Sequence, residues 1–167
     1  MKYVILFLSL LVLQVLQAGF LDQLGLGPVG NLLLLFITVS VILESLAFGL
    51  FLALVSGLML DFTSGTLDGT LLTAMLLAWV VTYLFIHKTV AGEPNRLILF
   101  SAVIFSTLVF ALTTAGVNRV MGYFGIDGFL DIEFLLGRKL IADLAANILL
   151  SYPVYLYFLG VKRVVRN

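Results

Sequence analysis

The chain has 167 residues, of which 62% are hydrophobic and 11% charged, with nine basic and nine acidic side chains. A soluble domain has about 25% charged and about 45–50% apolar residues, so this composition excludes an ordinary soluble globule and indicates a protein embedded in lipid. The zero net charge leaves no basic excess for nucleic acid, and a single histidine without any cysteine excludes His-cluster and thiolate metal sites. We therefore expect no cofactor and read the chain as a series of membrane spans.

The first apolar run predicts a membrane-spanning helix over residues 3–20, because about 20 apolar residues cross a bilayer as a helix. A cleaved signal peptide is the alternative, since Lys2, the apolar run and the small residues near Ala18 loosely fit that pattern. We expect the segment to be retained, because every later segment is just as apolar and needs no separate export signal.

The second apolar region runs from residue 32 to residue 60 and is interrupted only by Glu44 and Ser45. It could form one long tilted helix or two short helices that meet at Glu44. Cytoplasmic loops carry more Lys and Arg than external ones, and this rule favours two helices. Six spans with a cytoplasmic N-terminus place six basic residues inside and three outside, whereas five spans give a near tie.

The sequence thus predicts a single all-α domain of six transmembrane helices with both termini in the cytoplasm. The predicted spans are 3–20, 31–43, 46–60, 70–86, 97–115 and 140–160. The second span covers only about 20 Å at 1.5 Å per residue. It therefore needs either local bilayer thinning or packing against neighbouring helices.

Small residues recur every four positions on the third and fourth helices, which predicts a tightly packed helical hairpin. The row on the third helix includes Gly49, Ala53, Gly57 and Asp61, and the fourth helix has a similar row that starts at Thr70. Such rows let two helix backbones approach closely. They could serve only this packing, or part of the same surface could receive the helix of a partner protein.

The connection between these two helices contains the most informative motif. Asp61 ends an apolar helix, where a carboxylate needs hydrogen-bond donors or the membrane interface. Ser64 and Gly65 are expected to form the turn, and Asp68 could cap the N-terminus of the fourth helix, where the helix dipole favours negative charge. The spacing pattern of the connection is Gly-x-x-x-Asp-x-x-Ser-Gly-x-x-x-Gly, ending at Gly69.

This motif resembles the signature of the rod shape-determining protein MreD family, with Gly57, Asp61, Ser64, Gly65 and Gly69 at the matching positions. The likeness extends to the chain length, the six spans, the short second helix and the basic C-terminal tail. It implies a non-enzymatic scaffold of the cell-wall elongation complex in the bacterial inner membrane. Its partners would be MreC, RodA with its transpeptidase and, indirectly, the MreB filament. The chain differs in lacking a basic loop between the second and third helices.

The last helix carries a second row of polar residues, at Lys139, Asp143, Asn147 and Ser151. We expect Asp143 to pair with Lys139 one turn earlier, near the outer interface, and Asn147 to hydrogen-bond a neighbouring helix. An ionisable residue inside a span is also a functional-site hypothesis, so a polar pocket or proton path is the alternative.

Three other classes of function can be compared with these residues. An enzyme is disfavoured, because the single His87 is predicted on the cytoplasmic side and Ser64 and Asp61 on the outer side, so no catalytic set converges. The MreD family is similar in fold to the substrate-binding subunits of energy-coupling-factor vitamin transporters, which makes such a subunit the main alternative. A channel would need polar residues lining a path, and only the last helix has such a row.

Overall fold

The computed structural model describes residues 1–21, 31–64, 69–89, 95–124 and 135–166. Within these ranges the chain forms six α-helices and no strand, which confirms the predicted all-α polytopic membrane fold. The helices are α1 (Lys2–Val15), α2 (Leu32–Leu43), α3 (Leu46–Ser64), α4 (Thr70–Thr89), α5 (Arg96–Tyr123) and α6 (Leu140–Arg166). A π-helical turn at Leu16–Leu21 extends α1, and the segment Leu135–Lys139 before α6 is kinked at Gly137, whose backbone is not helical (φ −95°, ψ −119°).

Helix α2 is the centre of the bundle. All residues from Leu33 to Val41 are buried, and α2 packs against each of the other five helices. The other five are long and apolar enough to cross a membrane, whereas α2 is shorter. A helix that is apolar on every side is one that protein encloses on every side. Of the two solutions expected for its short length, packing against neighbours is therefore the one observed.

The region 31–64 consists of two helices, as predicted. Helix α2 ends at Leu43 and α3 begins at Leu46, and Glu44 between them has an extended backbone with φ −116° and ψ 175°. The break coincides with the only charged residue of this apolar region before Asp61. A buried carboxylate needs partners, and the extended backbone turns the Glu44 side chain toward them.

Helices α5 and α6 run further than predicted. Helix α5 continues past residue 115 to Tyr123, and α6 continues past residue 160 to Arg166, so the basic tail is helical. Hydropathy locates the part of a helix that lies in hydrocarbon, but the backbone hydrogen bonds of a helix persist equally well beyond it. At 28 residues, α5 is about 42 Å long, which exceeds a hydrocarbon core of about 30 Å.

The two ends of the chain meet at one end of the bundle. Lys2, at the start of α1, and Lys162, near the end of α6, both approach the carboxylate of Glu44. The start of α1 and the last turns of α6 therefore lie at the same end of the bundle.

Candidate functional site

The packing of α3 against α4 is closest at Gly57. A Cβ atom built on Gly57 would lie 2.7 Å from the Cα atom of Leu72 and 3.3 Å from the Cβ atom of Met75. Distances below 3.0 Å to a backbone atom force the helices apart. Only glycine permits this approach, so Gly57 sets the distance between the two helices.

The remaining members of the small-residue row also face the interior. A Cβ atom on Gly49 would lie 2.9 Å from Nε1 of Trp79 on α4. Ala53 is fully buried, and Asp61 is 5% exposed. The row at Gly49, Ala53, Gly57 and Asp61 is thus used for packing within the chain. A partner helix could reach it only by separating α3 from α4, so a partner must contact other faces.

Asp61 caps the start of α4. Its Oδ1 accepts a hydrogen bond from the backbone N–H of Leu71 at 2.9 Å, and its Oδ2 accepts one from the N–H of Leu72 at 3.1 Å. The first N–H groups of a helix have no partner within the helix, and the dipole makes that end positive. Asp61 therefore caps α4 from the preceding helix, and Asp68, which was also expected to cap it, lies outside the described residues.

The other motif positions shape the connection. The hydroxyl of Ser64, the last residue of α3, donates to the carbonyl oxygen of Asp61 at 3.2 Å. Gly69, directly before α4, has φ +76°, a left-handed conformation that favours glycine, and no other described residue has a positive φ. Gly65 lies outside the described residues. Three motif residues thus have separate structural functions. Gly57 allows close contact of α3 with α4, Asp61 caps the start of α4, and Gly69 provides the left-handed backbone directly before α4.

The polar row of α6 contains one ion pair and two buried polar side chains. Lys139 Nζ lies 2.7 Å from Asp143 Oδ2, which is the predicted ion pair one turn apart. Ser151 is fully buried, and its hydroxyl donates to the carbonyl oxygen of Ile148 in the same helix at 2.7 Å. These three residues therefore satisfy one another or their own helix.

Asn147 connects α6 to α5 and to the start of α2, which confirms the expected bond to a neighbouring helix. It is 1% exposed, and its Nδ2 donates to Oγ1 of Thr107 at 3.0 Å. Its Oδ1 accepts from the backbone N–H of Asn31 at 3.2 Å. Asn31 is the N-cap of α2, and its own side chain accepts from the N–H of Leu34 at 3.0 Å.

Side-chain amides therefore replace water at the buried start of α2. Gln17 adds a third such bond, since its Oε1 accepts from the N–H of Leu33 at 3.4 Å. Without water in the hydrocarbon, each free N–H group would cost several kcal/mol, on the order of 2–7 kcal/mol. Gln17 and Asn31 were not predicted from the sequence, although an Asn directly before an apolar run is a known helix-start signal.

A second polar contact crosses from α2 to α5. The Thr38 hydroxyl donates to Ser106 Oγ at 2.8 Å, and both side chains are buried. This pair was not predicted from the sequence either. Single hydroxyl residues within apolar helices give no signal of which helix they face, so the pattern alone could not have found it.

Glu44 forms the third polar centre and was predicted only as a break. Its side chain is 1% exposed, with Lys2 Nζ 2.6 Å from Oε2 and Lys162 Nζ 3.8 Å from Oε1. Lys162 also donates to the carbonyl oxygen of Leu43, the last residue of α2. The two lysines are partly exposed, at 24% and 33%. One buried carboxylate thus holds both ends of the chain and the α2–α3 break together.

These polar centres hold helices together. Their groups are paired with one another or with backbone, and within the described ranges no three His, Asp or Glu side chains come together as metal ligands. No family model, curated protein or solved structure matches this chain.

Proposed function

We propose that this protein is an MreD-like, non-enzymatic scaffold of the cell-wall elongation complex in the bacterial cytoplasmic membrane. It would link an MreC-like protein and a RodA-like glycosyltransferase with its transpeptidase to the MreB cytoskeleton. The observation that supports this best is that Gly57, Asp61 and Gly69, three positions of the family-like motif, each have a defined function in fixing the α3–α4 hairpin. A motif that fixes a helix pair suits a protein whose role is to present a rigid surface.

The partner surface would be the lipid-facing side of the hairpin, since the small-residue row is buried. On α3, four large apolar side chains follow one another at helical spacing and are 39–70% exposed: Phe51, Leu54, Leu58 and Phe62. Helices in lipid associate through side-chain packing and not through a hydrophobic driving force. The helix of an MreC-like partner would pack along this row.

Both termini would lie in the cytoplasm. The meeting of Lys2 and Lys162 at Glu44 puts the two ends on one side, and the excess of Lys and Arg on that side favours the cytoplasm. Reporter tags fused to each end would test this. Tags accessible from opposite sides of the membrane would contradict the fold, and tags both outside would contradict the orientation.

Depletion in the native host tests the function. We expect rod-shaped cells to become round and to recover when the intact chain is supplied. The replacement Leu58→Ala with Phe62→Ala should fold normally but lose co-purification with the MreC-like protein. The matched change Leu77→Ala with Leu84→Ala on α4, where both side chains are also exposed, should retain it. Cells that stay rod-shaped on depletion would overturn the proposal.

The vitamin-transporter alternative has a separate readout. A defect in vitamin uptake without rounding would favour it over the scaffold. Asp61, one of the few polar groups that could have faced a vitamin from the outer side, accepts two backbone hydrogen bonds from α4. Both of its carboxylate oxygens are thus already used for capping, which favours the scaffold.

A further inference from the structure

Helices α1 and α6 are separated by a groove of about 520 Å³ that opens sideways toward the lipid. Its walls include Ile5, Ser9 and Val12 of α1 and Val154 and Tyr157 of α6, and Phe36 of the central α2 lies at its base. Both walls belong to helices that are long and apolar enough to cross the membrane. The groove therefore lies between two candidate membrane spans.

The groove suits hydrocarbon, because its only polar groups satisfy each other. The hydroxyls of Ser9 and Tyr157 form a hydrogen bond that connects the two walls. An occupant therefore needs to supply no polar partner. Protein interiors and their lipid contacts are closely packed, so a space of this size beside the bilayer is filled by something apolar.

Positive charge lies at one end of the groove. Lys2 is one turn before Ile5 and seven residues before Ser9, so it lies on the same face of α1 as the groove wall. Lys162 approaches the same carboxylate as Lys2, and the exposed Arg163 follows it. The two lysines share one anion, Glu44, so positive charge is in excess at this end of the groove.

We propose that the groove binds one acyl chain of an anionic phospholipid whose phosphate lies beside Lys2 and Lys162. The chain enters at the charged end, where the headgroup remains, and extends along α1 from Ile5 toward Val12. The two partly exposed ammonium groups can donate hydrogen bonds to phosphate oxygens while they remain near Glu44. This site is independent of the proposed scaffold function.

Native mass spectrometry of the purified protein in detergent tests the site. The protein is titrated with phosphatidylglycerol and with phosphatidylcholine of identical acyl chains. We expect a single bound lipid, with phosphatidylglycerol preferred by about fivefold for each lysine that contacts the phosphate. The change Lys2→Gln should reduce this preference by about fivefold and leave phosphatidylcholine binding unchanged.

A groove-filling change tests the acyl-chain part. Val12 is 58% exposed on the groove wall, so Val12→Trp should fill the groove and weaken binding of both lipids by at least about tenfold. The matched control is Val15→Trp, one turn further along α1, where the side chain is 70% exposed and outside the groove. The control should bind lipid like the unmodified protein, and Leu8→Trp on the groove wall provides a second groove-filling variant.

Three outcomes would overturn the proposal. In the first, both lipids bind equally and Val12→Trp has no effect. In the second, inorganic phosphate competes fully with phosphatidylglycerol, which would mean a phosphate site without a chain site. In the third, Val12→Trp leaves lipid binding intact but dissociates a dimer or releases a co-purified membrane protein, which would mean that a helix occupies the groove.

Discussion

Buried carboxylates lie near both ends of α3, and the two have different kinds of hydrogen-bonding or ionic partner. Asp61 at its end accepts hydrogen bonds from N–H groups only ten and eleven residues away. Glu44 before its start pairs with lysines at the two ends of the chain. The first arrangement is complete once the α3–α4 hairpin forms, whereas the second requires the whole bundle. A carboxylate in an apolar region can therefore serve either a local or a global function, and its donors decide which.

The largest expected effect on stability concerns the ion pairs of Glu44 with Lys2 and Lys162. Changing both Lys2→Ala and Lys162→Ala leaves a fully buried carboxylate without a cation and should lower the free energy of unfolding by about 3–5 kcal/mol. Glu44→Ala should cost less than half of that, because the two partly exposed lysines can turn toward water. Unfolding by titration with SDS measures both, and a larger cost for Glu44→Ala would contradict the assignment of Glu44 as the buried partner.

The next effect concerns the close approach of α3 to α4 at Gly57. Gly57→Ala should lower the free energy of unfolding by about 1–3 kcal/mol, because its methyl group would overlap the backbone of Leu72. Gly116→Ala is the matched control, since a Cβ atom there meets nothing within 4 Å and alanine favours helix by about 0.5–1 kcal/mol. The same SDS titration applies. Equal effects of the two changes would mean that the hairpin tolerates a wider spacing.

Removal of the cap should have a smaller effect. Asp61→Ala leaves the N–H groups of Leu71 and Leu72 without their acceptor and should cost about 1–2 kcal/mol. Asp61→Asn keeps one acceptor oxygen and should cost less than Asp61→Ala. Hydrogen exchange at the start of α4 should increase in the same order, while exchange near Glu44 stays unchanged. Increased exchange at both ends would show that Asp61 is not a local cap.

The smallest expected effect is at Asn147 on α6. A double-mutant cycle with Asn147→Ala and Thr107→Val should give a coupling energy of about 0.6 kcal/mol, the average found for such bonds in membrane proteins. Asn147→Ala alone should cost more than Thr107→Val alone, since Asn147 also accepts from the start of α2. No coupling would mean that the two side chains do not interact.

Much of the fold could be predicted from hydropathy and from glycine, serine and acid spacing. The break at Glu44, the pair of Lys139 with Asp143 and the close packing of α3 on α4 are all local patterns, and the structure has each of them. The extended ends of α5 and α6 were missed, because hydropathy falls at the headgroup level while helical hydrogen bonding does not.

The polar centres were harder to predict because their partners lie far apart in sequence. Hydropathy places Lys2 and Lys162 on the same side as Glu44 but cannot show that all three converge. The same holds for Asn147, whose two partners belong to α5 and to the start of α2. Asp61 was recognised as needing donors, but the sequence did not show that those donors are the first N–H groups of α4. The packing of the α3–α4 hairpin brings these groups within reach of the carboxylate.

The meeting of both chain ends at Glu44 has a consequence for biogenesis. A ribosome adds about 5–20 residues per second, so roughly 10 s pass between the emergence of Glu44 and that of Lys162. Over that interval Lys2 alone of the two lysines is available to the carboxylate. The nascent bundle stays open on its α6 side until α6 has been synthesised. In a truncated product that lacks the last helix, the Glu44 carboxylate has no Lys162 and is incompletely neutralised. Such a product is exposed to the membrane proteases that remove unfinished chains.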